Sequence, residues 1–263
     1  MVGSRYMKPE ELTTQVKDEA RRLGARLVGV GSVDRWAKAP KGHGPLSFLP
    51  AARTVVSFAL PIFKSMTLWR DFMVGSQVFS EEENTDRPHR KSAALQIYQR
   101  MQYDAVNFNL MSIANFLGCF LYDHGFQVVT PSVTSGSGFA NLAVKEMGAI
   151  KFNQWSQRHA AVCCGLGELG MNNAFICPEY GLRVRLGSLI TDAPLQADPL
   201  DKIGEVCTRC GACVKACPDP QTFAEEYAYE LLPGLALRNC RFNKELCLGS
   251  SCSACLRDCP VGR

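Results

Sequence analysis

The sequence has little net charge, no long apolar run and no repeats, and each shortage excludes something. Its 29 Lys and Arg against 25 Asp and Glu leave a charge of +4. That excess is too small to argue for nucleic acid, and none is expected as a partner. No uninterrupted apolar run reaches the roughly 18 residues that span a bilayer, so no membrane partner is expected either. The first 30 residues hold no apolar core followed by a small-residue cleavage site, and Arg21-Arg22 lie inside a helical pattern. Neither a secretory nor a twin-arginine signal is read there, and a cytoplasmic location is expected. What is present is a substantial apolar fraction, 46% of 263 residues. It suffices for a buried core in one large domain or two small ones and excludes a disordered chain.

The sequence is rich in cysteine. Of 13, four (Cys119, Cys163, Cys164 and Cys177) fall in the first 200 residues, and nine crowd into 207–259. Where thiols are kept reduced, so dense a set points to metal rather than disulfides. The shift in composition divides the chain into domains 1–197 and 198–263, with a linker from Ala193-Pro194 to Pro199-Leu200.

The first domain alternates helices and strands. Leu12, Val16, Ala20 and Leu23 share a helical face that Gly24 terminates. Leu27–Val30 and Thr54–Leu60 read as strands. The stretch Lys64–Lys91 lacks a period and reads as a long loop, either a substrate wall or a solvated insertion. Ala94–His124 is helical and apolar on most sides, which predicts a buried helix. Strands are expected over Phe126–Val129 and Leu182–Thr191, and a helix and turn over Gln157–Leu169.

Cys207, Cys210, Cys213, Cys217 and Pro218 form C-x2-C-x2-C-x3-C-P, and Cys252, Cys255, Cys259 and Pro260 repeat its second half. This spacing wraps three thiolates around one cubane cluster and sends the fourth to a second. A zinc ribbon would show paired C-x2-C without the extension. Crossed ligation assigns Cys207, Cys210, Cys213 and Cys259 to one [4Fe-4S] cluster. Cys217, Cys252 and Cys255 go to the other, with a fourth ligand from Cys240 or Cys247, since position 249 is Gly249.

Far more chain precedes these motifs than a ferredoxin needs, and it carries a resemblance. Arg158-His-Ala-Ala161, Gly165-Leu-Gly-Glu-Leu-Gly170, Pro178–Leu186 and Thr191–Leu195 resemble epoxyqueuosine reductase and the cobalamin-dependent reductive dehalogenases, in a short form without C-terminal helical repeats. The run Pro178–Leu186 looks closer to the dehalogenases, and Ala51–Phe58 resembles the family's early strand. The resemblance implies an α+β fold, a nitroreductase-like cobalamin-binding domain followed by a bacterial ferredoxin-like module with two [4Fe-4S] clusters. It also implies a base-off corrinoid without a protein ligand below cobalt. The four histidines, His43, His89, His124 and His159, agree, since none stands in the D-x-H-x-x-G pattern of histidine-ligated corrinoids.

The same resemblance suggests roles. It favours Cys240 over Cys247 as the remaining ligand. The position of the dehalogenase proton-donating tyrosine falls on Asn107, with Tyr103 one turn earlier, and the associated basic residue on Arg185. His159, Gly165, Leu166, Gly167, Gly170 and Arg183 are expected to bind cofactor. Gly165–Gly170 also fits G-x-G-x-x-G, but no strand precedes it, so a nicotinamide site is not favoured. The aspartate that epoxyqueuosine reductase uses has no counterpart in Val133–Gly138 or Lys151–Trp155. The implied function is an anaerobic oxidoreductase taking electrons from a low-potential ferredoxin or flavodoxin. They would pass through two clusters to cobalamin and a small or medium organic substrate. The rival is an electron-transfer or corrinoid-reducing partner with no substrate of its own.

Overall fold

The computed structural model describes residues 7–68, 97–133, 155–243, 245–249 and 252–262. Most of the expected long loop, and all but Val133 and Trp155 of the two segments searched for the aspartate, lie outside these residues.

Helix α1 (Pro9–Arg22) begins on a proline, carries Glu10 and Glu11 in its first turn and Arg21 and Arg22 in its last, and so matches its own dipole. Strands β1 (Leu27–Ser32) and β2 (Thr54–Pro61) follow it, and a short helix α2 (Lys64–Thr67) comes next. A π-helical turn, Gln99–Asp104, runs into the long helix α3 (Ala105–Asp123). After β3 (Val128–Val129) come α4 (Gln157–Cys163), β4 (Glu168–Leu169), β5 (Phe175–Ile176) and β6 (Val184–Thr191). The main sheet has the order β1-β2-β6-β3, with antiparallel neighbours throughout.

Strand β2 is central and reads as a continuous apolar run because both faces of the sheet are covered. On one face Leu12 and Val16 of α1 and Leu110, Leu117 and Leu121 of α3 pack with Phe58 and Leu189. On the other, Ala161 and Val162 of α4 meet Ala59 and Leu186, while Ala160 and Cys164 meet Val55 and Ile190. Each fully buried Leu or Phe contributes about 1.5–3 kcal/mol relative to exposure. Cys163 and Cys164 are therefore core thiols, and burial pushes Cys163 up to about 12.

The long helix departs from expectation. Val106, Leu110, Ile113, Leu117 and Leu121 are buried, but Met101, Phe108, Met111 and Phe116 are exposed. Among the described residues the sheet and α1 pack along one side of this apolar cylinder. By length and composition Gln99–Asp123 matches a membrane-crossing helix, yet its inner side belongs to the sheet's core.

The expected linker is a fixed strap. Ala193 is fully buried, and the Asp198 carboxylate accepts from Lys17 Nζ at 2.6 Å and from the Val30 N–H at 2.8 Å. Beyond it lie α5 (Ala212–Lys215), a hairpin of β7 (Phe223–Leu232) and β8 (Leu235–Phe242), and α6 (Ala254–Asp258). The hairpin interrupts the two cysteine motifs and packs back on the first domain, placing Leu231 and Leu237 with Ala161 and Val162.

Candidate iron–sulfur and redox site

Cys207, Cys210, Cys213 and Cys259 line one recess, together with Gly211 and Pro260. The chain turns there through two left-handed residues, Arg209 (φ 53°) and Gly211 (φ 74°), before α5 begins. The exposed Cys210 thiol is held below its ordinary range, chiefly by the Ala212 N–H. Burial pushes Cys213 up to about 11, and the neighbouring Cys207, Cys259 and Cys210 add to the rise. Among the described residues no three His, Cys, Asp or Glu converge tightly enough for a single metal ion. The donor set is four thiols around a shared recess, the chemistry a cubane cluster takes.

Cys255 marks a second group. Burial pushes its thiol up to about 12, and Cys252, Cys247, Cys213 and Cys217 raise it further, in that order. Cys247 is thus among the cysteines whose charge acts on Cys255, together with Cys252, Cys213 and Cys217, while the expected Cys240 lies apart in the hairpin. Cys240 is fixed in β8 opposite Glu226, its N–H bonded to the Met171 carbonyl at 2.8 Å. Its thiol is raised by burial, then by Glu226, and the charges acting on it are those of Glu226 and Arg209 rather than any cysteine. A strand in a ladder cannot turn one side chain out of register, whereas Cys247 lies outside the ladder, its Sγ accepting from the Gly249 N–H at 3.4 Å.

The expected Tyr103, Asn107 and Arg185 come together. Arg185, opposite Leu60 at the start of β6, reaches across to α3 and donates from Nε to Asn107 Oδ1 at 2.6 Å. Its guanidinium carbon lies 3.6 Å above the centre of the Tyr103 ring. Two donors here, Arg185 Nη2 and Asn107 Nδ2, are buried with no hydrogen-bond partner among the described residues. Buried donors are rarely left so unless something else completes them.

Tyr98 was not singled out from the sequence. It is 2% exposed, and burial, opposed by Arg185, holds its phenol above the ordinary range, with Cys255, Cys252 and Tyr103 adding to the rise. Its phenol thus feels the charge of both the basic group and the second cysteine set. An α-helical period puts Tyr98 and Tyr103 on different sides; π-helical winding aligns residues five apart.

A separate cavity of about 500 Å³ is lined by Trp36, Arg158, His159, Tyr227, Tyr229 and the exposed His43, among others. His159 contributes an imidazole with both nitrogens engaged, Nδ1 with Ser156 Oγ and Nε2 with Tyr229 Oη, each at 2.7 Å. Burial, helped by Arg158, lowers its pKa to about 4. Trp155 stacks on Trp36 and donates to Ser188, and Tyr180 packs in the core.

The remaining expected cofactor residues contact the protein itself. Gly165 has φ +75° and admits the Pro199 carbonyl of the strap so closely that a Cβ there would collide with it. Leu166 is core, Gly167 lies against the Ile176 carbonyl, and Gly170 lines the first cysteine recess. The glycine motif follows helix α4 rather than a strand, so it is not built as a dinucleotide turn. Arg183, 1% exposed, donates to the carbonyls of Leu256, Cys259 and Val261 at 3.0–3.2 Å. It binds the C-terminal cysteine arm.

These features define an iron–sulfur protein, and the 4Fe-4S binding domain family matches residues 204–227. The chain is similar, more particularly, to reductive dehalogenases and epoxyqueuosine reductases, both named as reductases. It is 34% identical over 281 aligned residues to a tetrachloroethene reductive dehalogenase of Sulfurospirillum multivorans, covering 96% of this chain and 50% of that one. To the enzyme of that name from Dehalobacter restrictus it is 25% identical, over 81% of this chain and 39% of the relative. An epoxyqueuosine reductase of Listeria monocytogenes is 41% identical over 82 residues, 31% of this chain and 21% of that enzyme. The chain thus spans between about two fifths and half of the two dehalogenases' length. Among solved structures, a reductive dehalogenase described in terms of B12-dependent dehalogenation superposes with a TM-score of 0.60 at 17% identity. The match covers 98% of this chain and 33% of that one, and gives the fold.

Proposed function

We propose that this chain is the core of a cobalamin-dependent iron–sulfur reductase of the reductive dehalogenase type, acting on a small or medium organic substrate. The observation that carries the proposal is the meeting of Arg185, Asn107 and Tyr103, with two buried donors that find no acceptor among the described residues. A cofactor or substrate oxygen, or a departing anion, would complete Arg185 Nη2 and Asn107 Nδ2. Arg185 stacks on the Tyr103 ring and its charge acts on the buried Tyr98, so either phenol is a candidate proton donor. Two [4Fe-4S] clusters would sit on Cys207, Cys210, Cys213 and Cys259 and on Cys217, Cys247, Cys252 and Cys255. The second set would be the inner one, since Cys255 and Cys252 act electrostatically on the buried Tyr98. The exposed Cys210 marks the edge where a low-potential ferredoxin or flavodoxin would deliver electrons.

The aromatic and basic lining of the 500 Å³ cavity, with Trp36, Tyr229 and Arg158, suits part of a large flat cofactor. Bound there, a corrinoid supplies a strongly reducing cobalt centre. His159 has no free nitrogen to offer it. The layered sheet and helices would form the nitroreductase-like part of the fold.

The test is anaerobic reconstitution followed by iron analysis and paramagnetic spectroscopy with added cobalamin. About eight irons per chain and a Co(II) spectrum without nitrogen splitting are expected. About four irons, or zinc in their place, contradicts the two-cluster reading. Clusters without corrinoid binding favour an electron-transfer partner. Nitrogen splitting that His43→Ala abolishes would put a histidine on cobalt and overturn the base-off reading without a protein ligand.

A further inference from the structure

We infer that Glu168 is a positioning residue for the cluster on Cys207, and that its fixed negative charge keeps that cluster's reduction potential low. The inference rests on the iron–sulfur reading above. Glu168 opens β4 and is 6% exposed. Its Oε1 accepts the N–H groups of Val206 at 2.9 Å and of Cys207 at 2.5 Å. Its Oε2 accepts the Gly204 N–H at 2.5 Å. One side chain thereby holds three peptide groups within four consecutive residues, ending on the first cluster cysteine. Gly204, at φ +86°, supplies the left-handed turn that lets these N–H groups converge on an anion.

Among the ion pairs of the described residues none includes Glu168, so peptide dipoles rather than a cation balance it. The potential of an iron–sulfur cluster depends on local charge, on hydrogen bonds to its sulfurs and on exposure. Glu168 acts on the first two in the same direction. It adds a negative charge one residue from a ligand, and it occupies the Cys207 N–H, which is then unavailable to a cluster sulfur. Both disfavour the added electron. The geometry also ties the glycine motif, in which Glu168 stands, to the cluster arm.

The experiment is a redox titration of the anaerobically reconstituted protein, followed by paramagnetic resonance, on wild type, Glu168→Gln and Glu168→Asp. Gln removes the charge and leaves one acceptor oxygen. In Glu168→Gln one cluster's potential is expected to shift positive while the other stays unchanged, and Glu168→Asp to hold the wild-type value. A Glu168→Gln protein with about eight irons and no positive shift overturns the inference. If that variant retains about four irons, Glu168→Asp decides. Full iron at wild-type potentials supports the role of the charge, and loss of the same cluster leaves only a packing role and overturns it. A wild-type protein without clusters would instead sink the iron–sulfur reading.

Discussion

At the residue scale the second cysteine set shows how far spacing alone can be read. Seven cysteines follow from the repeated motif, and four of them, Cys207, Cys210, Cys213 and Cys259, line one recess. The eighth lies outside both motifs, and spacing leaves Cys240 and Cys247 equivalent. What separates them is the β7–β8 ladder, which fixes Cys240 opposite Glu226 and leaves Cys247 beside Cys255. Cys247→Ser is therefore expected to cost one cluster, about four of eight irons, and Cys240→Ser to leave both, by iron analysis after anaerobic reconstitution. The opposite pattern would return the ligand to Cys240. Tyr98 escaped notice for a related reason: its alignment with Tyr103 depends on π-helical winding, which no α-helical or strand period reveals.

At the element scale, what was legible follows from pattern. Helix α1 with its Gly24 stop, strands β1, β2 and β6, and helix α4 all fall where period and punctuation put them. The hairpin was overlooked, though its signal is present: two apolar-rich strands flank Pro233-Gly234, and Gly234 takes φ +79°. Periodicity also misjudged burial, for it reported that α3 is apolar without reporting how many walls surround it. Helix α4 and the hairpin meet at His159 and Tyr229, and this contact has a pH signature. Burial lowers the His159 pKa from 6.5 to about 4, so the folded protein holds the ring neutral. The unfolded chain takes up the proton first as pH falls. The contribution is thus present above about 6.5 and is lost as the pH drops through the window towards about 4. Between pH 7 and 5 the loss should be roughly 2 kcal/mol. His159→Gln should flatten that part of the stability profile, read as the difference in urea midpoints between the two pH values. An unchanged slope would show that the ring is protonated in the folded protein.

At the scale of the whole molecule, the division by cysteine content separates two stretches of sequence that do not stand apart in space. The strap is bonded to α1 and β1 through Asp198, Glu168 holds the entry to the first cluster arm, and Arg183 holds its exit. The Arg183 tie is the most buried of these and combines two constraints. Its guanidinium forks across the carbonyls of Leu256, Cys259 and Val261, while Gly181, at φ +60°, lets the Val261 carbonyl approach too closely for any Cβ. Hydrogen bonds from a charged donor contribute about 1.5–3 kcal/mol each, and the three carbonyls would otherwise lose their donor. Arg183→Met keeps the length and apolar stem but removes every donor, so the arm bearing Cys259 should detach more readily. The expected outcome is faster loss of about four irons to a chelator under anaerobic conditions, with the Cys217–Cys255 cluster released at the wild-type rate. Equal acceleration of both clusters would mean that Arg183 supports the fold generally. No acceleration would mean that the cysteine arm is held by its ligands alone, and that the contact between the sheet and the cluster module follows cluster binding instead of preparing it.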